Sequence, residues 1–94
     1  MTADSLPPKP LPPGYPLAAV DKEGRPIVVG SKVRILSVRS GARGLPDEDQ
    51  KRLRSYEGQT FDVLEIDRYG MVWFGSDGST TPNFSLRPEE IAVV

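Results

Sequence analysis

The stretch Gly58-Gln59-Thr60-Phe61-Asp62-Val63-Leu64-Glu65-Ile66 places apolar side chains at Phe61 and Val63, then at Leu64 and Ile66. Side chains alternate faces along a strand, so two apolar neighbours reverse the inward phase. A strand that changes phase between Val63 and Leu64 is bulged or sharply bent. A bent strand contributes to two sheets at once, the device that closes small β domains. The spacing therefore predicts a second strand over 58–66 that turns a corner at its middle.

Upstream of it, Ser31-Lys32-Val33-Arg34-Ile35-Leu36-Ser37-Val38 alternates apolar and polar residues, the pattern of a half-buried first strand. Val33 and Ile35 face inward, and Lys32 and Arg34 outward. Arg39 to Tyr56 is a long polar connection in which Leu45–Arg54 reads as a short helix. Acids crowd its first turn and bases its last, which suits the helix dipole, and Leu53 is its apolar anchor. Downstream, Asp67-Arg68-Tyr69-Gly70 predicts a tight turn with Gly70 at positive φ, and Met71–Phe74 a third strand. Ser76-Asp77-Gly78-Ser79 is a second turn, Asn83–Leu86 a fourth strand, Arg87–Glu90 a helical turn and Ile91–Val94 a closing fifth strand. The core expected from these phases is Val33, Ile35, Phe61, Val72, Phe74, Phe84 and Leu86.

Residues 1–17 hold six of the ten prolines. Proline lacks the amide donor and favours extended polyproline II, so this segment reads as a disordered tail rather than a strand. Pro7, Pro10 and Pro13 recur every three residues, as in ligands of proline-recognising domains, and a plain spacer has the same composition. Ala18–Val20 reads as a short extended piece, and Asp21–Pro26 as a turn with Gly24 at positive φ. The expected fold class is all-β: a small five-stranded SH3-like barrel over 18–94, with a long first loop carrying a short helix, behind a Pro-rich tail over 1–17. Closure of such a barrel removes exposed sheet edges.

Two runs resemble a known family. Gly30-Ser31-Lys32-Val33-Arg34-Ile35-Leu36 is similar to the opening strand of photosystem I reaction-centre subunit IV. Thr81-Pro82-Asn83-Phe84, followed by Glu89-Glu90 and a valine-rich finish, resembles that family's Asn-Phe motif and closing strand. Tyr56-Glu57-Gly58, Ile66-Asp67 and Val72-Trp73-Phe74 fall between them in the family's order. Similar barrels occur in the variable chain of ferredoxin–thioredoxin reductase and in the nitrile hydratase β subunit. The resemblance covers about residues 28–94 and implies an SH3-like barrel with a non-catalytic accessory role in electron transport. It also implies a part in docking an acidic electron carrier, with Lys32 and Arg34 inside the matched run. The chain departs from the family in its longer loop over 39–56, its proline tail, the Asp21–Pro26 turn and Trp73, where the family tends to be polar or basic.

The 94 residues suffice for one small domain, and they include neither cysteine nor histidine. Disulfides, thiolate metal sites and thiol catalysis are excluded, as is the commonest general base. No phosphate-binding loop or nucleophile elbow is present. Glu89-Glu90 and Asp47-Glu48-Asp49 set carboxylates side by side, where they diverge, so capping and solvation explain them. No catalytic residue, metal or cofactor is expected. The sequence has neither an 18-residue apolar stretch nor a secretory leader pattern, so a cytoplasmic protein without a membrane span is expected.

The net charge of −1 conceals an asymmetry. Residues 31–56 carry seven bases against three acids, a net of +4, and residues 57–94 seven acids against two bases, a net of −5. Lys32, Arg34, Arg39, Arg43, Arg52 and Arg54 are candidate contacts for an acidic protein partner, steered by long-range charge, or simply a solvated surface. Between inward Val72 and Phe74, Trp73 faces outward and is a candidate interface anchor, unless the chain's own loop or tail covers it. Lys32, Arg34 and Trp73 are expected on one face. The functional expectation is a protein-interaction module, a small accessory subunit or adaptor of an electron-transfer or enzyme complex, monomeric in isolation. Its partner would be an acidic redox carrier or a larger enzyme subunit. The alternative is a nucleic-acid or ribosome-associated barrel, since Gly30-x-x-Val33-x-Ile35 resembles the opening of the KOW pattern and the basic loop could meet phosphates.

Overall fold

The computed structural model describes residues 10–94. Its strands are β1 (Lys32–Ile35), β2 (Thr60–Asp62), β3 (Glu65–Ile66), β4 (Val72–Phe74), β5 (Phe84–Leu86) and β6 (Ile91–Val93). Two helices, α1 (Arg39–Ala42) and α2 (Asp47–Arg54), fill the connection from β1 to β2. Single 3-10 turns lie at Ser76–Gly78 and Pro88–Glu90. The strands form two antiparallel sheets, ordered β2-β1-β6 and β3-β4-β5.

The phase change at Val63–Leu64 is where the chain passes from one sheet to the other. The amide of Val63 donates to Ser31 O beside β1 (2.9 Å), and the next amide, of Leu64, donates to Trp73 O on β4 (3.0 Å). The expected second strand is thus two strands in different sheets, and the all-β chain has six strands where five were expected. The sheets remain separate and unclosed among the described residues. Their inward side chains nevertheless share one core.

Val33, Ile35, Val72, Phe74, Phe84 and Leu86 are buried as expected. Phe61 is only half-buried, because β2 is an edge strand; its ring leans on Tyr56 and Phe84 at centroid distances of 5.3 and 5.8 Å. Ile27, Val38, Ala42, Leu53, Tyr56, Val63 and Ile91 complete the core. Several of these come from the long connection, which lies against the second sheet. At Gly41 of α1 a Cβ would stand 2.7 Å from Ser85 O on β5, so only glycine lets the helix approach that closely.

α1 has no sequence signature, and its position is set by a distant carboxylate. Glu90, 7% exposed, accepts from Ser40 N (3.2 Å), from Ser40 Oγ and from Arg87 N (2.9 Å). It caps the turn before β6 and holds the start of α1 at the same time. Its neighbour Glu89 is exposed and pairs with Arg87 Nε at 2.9 Å.

The first nine residues, including Pro7 of the proposed period, lie outside the described residues. The rest of the expected tail is not all free of the domain: the Leu17 amide donates to Tyr69 O (2.8 Å), and the Tyr15 ring meets Tyr69 edge-on at 5.9 Å. Gly70, at φ +86, leaves room for this arm, because a Cβ there would lie 2.5 Å from Leu17 O. After the arm, Val20 bridges Pro26 around the turn expected at Asp21–Pro26. Asp21 is buried in that turn and accepts from the amides of Glu23, Arg25 and Val93, each at 2.8 Å.

Candidate interaction grooves

The residues expected to share one face are divided among different surfaces. Lys32 and Arg34 project from β1 and are exposed, Arg34 between Thr60 and Ala92 of the flanking strands. Trp73 is the central residue of β4 in the other sheet, between Glu65 and Ser85. The common face of Lys32, Arg34 and Trp73 is therefore not formed. The bend at Val63–Leu64 assigns their strands to separate sheets.

Trp73 is half-buried, and its own chain fixes its orientation. The indole Nε1–H donates to Asp67 Oδ2 (2.8 Å), while Asp67 Oδ1 accepts from the amides of Tyr69 (2.9 Å) and Met71 (3.0 Å). One aspartate thus builds the hairpin turn and pins the indole edge. The residue opens onto a groove of about 470 Å³ that includes Leu45, Arg52, Leu53, Tyr56 and Phe84. Helix α2 forms one wall because Leu53 packs into the core while Arg52, one residue earlier, stays exposed. Among the described residues Arg52 pairs with Asp49 at 3.8 Å, a distance that gives weak pairing at an exposed site. Tyr56 stacks on Phe84 at 5.5 Å, and its buried hydroxyl has no hydrogen-bond partner among the described residues.

Arg39, Arg43 and Arg54 come together. They line a second groove of about 470 Å³ with Ser37, Gln50 and Glu57. Arg54 is braced by Gln50 Oε1 (3.1 Å), and Gln50 Nε2 is anchored on Leu45 O (2.8 Å). Glu57 turns its Oε2 to the Val38 amide (3.2 Å). Lys32 lines a third groove beside β2, with Gln59 and Asp62.

Sequence reasoning singled out the arginines and Trp73 as site residues; it named Asp67 only as part of a turn and Tyr56 only within the resemblance, and gave Gln50 no role. Asp67 had a readable signal, an aspartate opening a turn that ends in glycine. Tyr56 and Gln50 had none, because their roles depend on how α2 is placed. Among the described residues no three His, Cys, Asp or Glu side chains are grouped to hold a metal, and no helix is long and apolar enough to cross a membrane. A scan of family models, a search of curated proteins and a search of solved structures each find no match to this chain.

Proposed function

We propose that this chain is a non-catalytic protein-interaction module, acting as a small accessory subunit or adaptor of a larger complex. The observation that carries the reading is the groove beneath α2. Apolar and aromatic side chains alternate with polar ones such as Asp49 and Asn83 in its lining, Trp73 is held in one orientation by Asp67, and the exposed cation Arg52 stands at its rim. Oriented tryptophan and arginine side chains are the residue types that anchor protein interfaces. The two-sheet order, with a bent second strand and a helical turn before β6, also supports an SH3-like arrangement. It agrees with the resemblance to photosystem I subunit IV and related accessory barrels.

A photo-reactive residue in place of Asp49, on the groove wall, tests this in living cells. A discrete protein adduct that disappears with Trp73→Ala is the expected result. Absence of any protein adduct overturns the reading. A nucleic-acid adduct supports the second reading, a nucleic-acid-associated barrel, whose phosphates the guanidinium groups of Arg39, Arg43 and Arg54 would meet.

A further inference from the structure

Arg39, Arg43 and Arg54 share one groove, and on its far side Arg39 and Arg43 also border a concavity that holds Glu89 and Glu90. Arg39 opens α1 and Arg43 follows its last residue, so the two side chains leave the same side of one helical turn. Arg54 reaches the groove from α2 and is held there by Gln50. The ion pairs of the described residues are Arg25–Glu23, Arg52–Asp49 and Arg87–Glu89, and none includes these three arginines. The one carboxylate in the groove, Glu57, has an oxygen committed to the Val38 amide. Two elements therefore bring three guanidinium groups to one concavity with a single acid among them.

The kind of anion follows from the rest of the lining. Guanidinium forks match carboxylates and phosphates equally well. No aromatic ring lines this groove, so nucleic-acid bases have nothing to stack on. Val38 and Ala42 belong to the core beneath it, so the accessible lining is the polar and charged set Ser37, Arg39, Arg43, Gln50, Arg54 and Glu57. Outside the groove the charge is mixed: α2 begins with Asp47, Glu48 and Asp49 but ends with Lys51, Arg52 and Arg54, and residues 57–94 carry a net charge of −5. A concavity of about 470 Å³ holds a short segment.

We propose that the groove formed by Arg39, Arg43 and Arg54 binds a short acidic peptide segment of a protein partner, taking its carboxylates on the three guanidinium groups. This rests on the interaction-module reading and names the partner's chemistry at a second groove.

The test is a titration of the isotope-labelled full chain with an oligoglutamate peptide, with inorganic phosphate and with oligouridylate. The peptide should shift amides over 38–43 and 50–57, and should bind more weakly as added salt shortens the Debye length to about 8 Å. Arg39→Gln with Arg43→Gln should weaken binding about tenfold or more, as expected on losing charge-assisted hydrogen bonds. Should that double variant melt early, Arg54→Gln gives the same reading from the other wall. Failure of the peptide to bind, or binding that the variants leave unchanged, overturns the proposal. So does phosphate binding as tightly as the peptide, which makes the groove a free-anion site, or a preference for oligouridylate. The cross-link from the Asp49 position reads the Trp73 groove independently. If that adduct persists while oligoglutamate fails, the peptide proposal falls and the module reading stands.

Discussion

Asp21 shows how a single carboxylate can join distant parts of a chain. Burial works against its ionisation, but the amides of Val93, Arg25 and Glu23, with the Arg25 guanidinium, outweigh that and hold its pKa below the ordinary 3.8. A carboxyl whose folded pKa is depressed stabilises the fold above its unfolded pKa, and loses that contribution as pH falls through the folded value. Asp21→Asn should therefore melt below the parent at neutral pH, with the gap narrowing below about pH 4. Thermal melts across that range check it; a gap independent of pH would show that the charge contributes nothing. At the same scale, Phe74 is fully buried; it meets its strand neighbour Phe84 at 5.4 Å and Phe61 of the other sheet at 6.1 Å. Phe74→Ala should cost about 3–5 kcal/mol, a large part of the roughly 5–15 kcal/mol that holds such a domain folded. Denaturant unfolding that places the variant within about 1 kcal/mol of the parent would contradict the core assigned here.

Among the elements, those specified by local pattern were legible and those specified by distant contacts were not. The reversal of apolar phase at Val63–Leu64 is written in adjacent residues, and it forms the joint between the sheets. Helix α2 was legible within two residues at its start from its charge order and Leu53. Helix α1 was not: Arg39-Ser40-Gly41-Ala42 has no apolar period, and its anchor Glu90 lies far along the chain. The arm at Tyr15–Leu17 escaped for the same reason, since its partners Tyr69 and Gly70 are remote in sequence. The candidate site divides likewise. Residue type singled out the arginines and Trp73, but their division into grooves depends on the placement of both helices. Gly41→Ala tests the close packing of α1 on β5. Its Cβ would stand 2.7 Å from Ser85 O and 3.2 Å from Leu86 Cδ2, and overpacking of this kind costs about 1–3 kcal/mol. Faster hydrogen exchange at Ala42, whose amide donates to Val38 O (2.9 Å), is expected; unchanged exchange and melting would show that the helix can slide without cost.

Across the whole molecule, the closing strand and the basic groove are mechanically linked. β6 pairs with β1 through Val33, Arg34 and Ile35, and the Leu36 and Ser37 amides both donate to Glu90 O (2.8 and 3.2 Å). From the same residue the Glu90 side chain reaches Ser40, the second residue of the turn that carries Arg39 and Arg43. The groove's cations are thus positioned by an acid that touches neither of them through any of its hydrogen bonds. Glu90→Ala would strand the Ser40 amide, a loss of about 1–3 kcal/mol, and would leave the Arg87 amide only its longer bond to Ser40 Oγ (3.3 Å). Stability should fall accordingly. Oligoglutamate affinity should fall too, although all three arginines remain, because α1 is no longer held at the groove. Glu90→Gln keeps one acceptor oxygen and should recover part of both. Calorimetric melting and peptide titration on the same samples separate the outcomes. Parallel losses support a groove built by the closing strand. A destabilised variant that binds oligoglutamate as the parent does, at a temperature where both are folded, would show that Arg39 and Arg43 find their positions without Glu90.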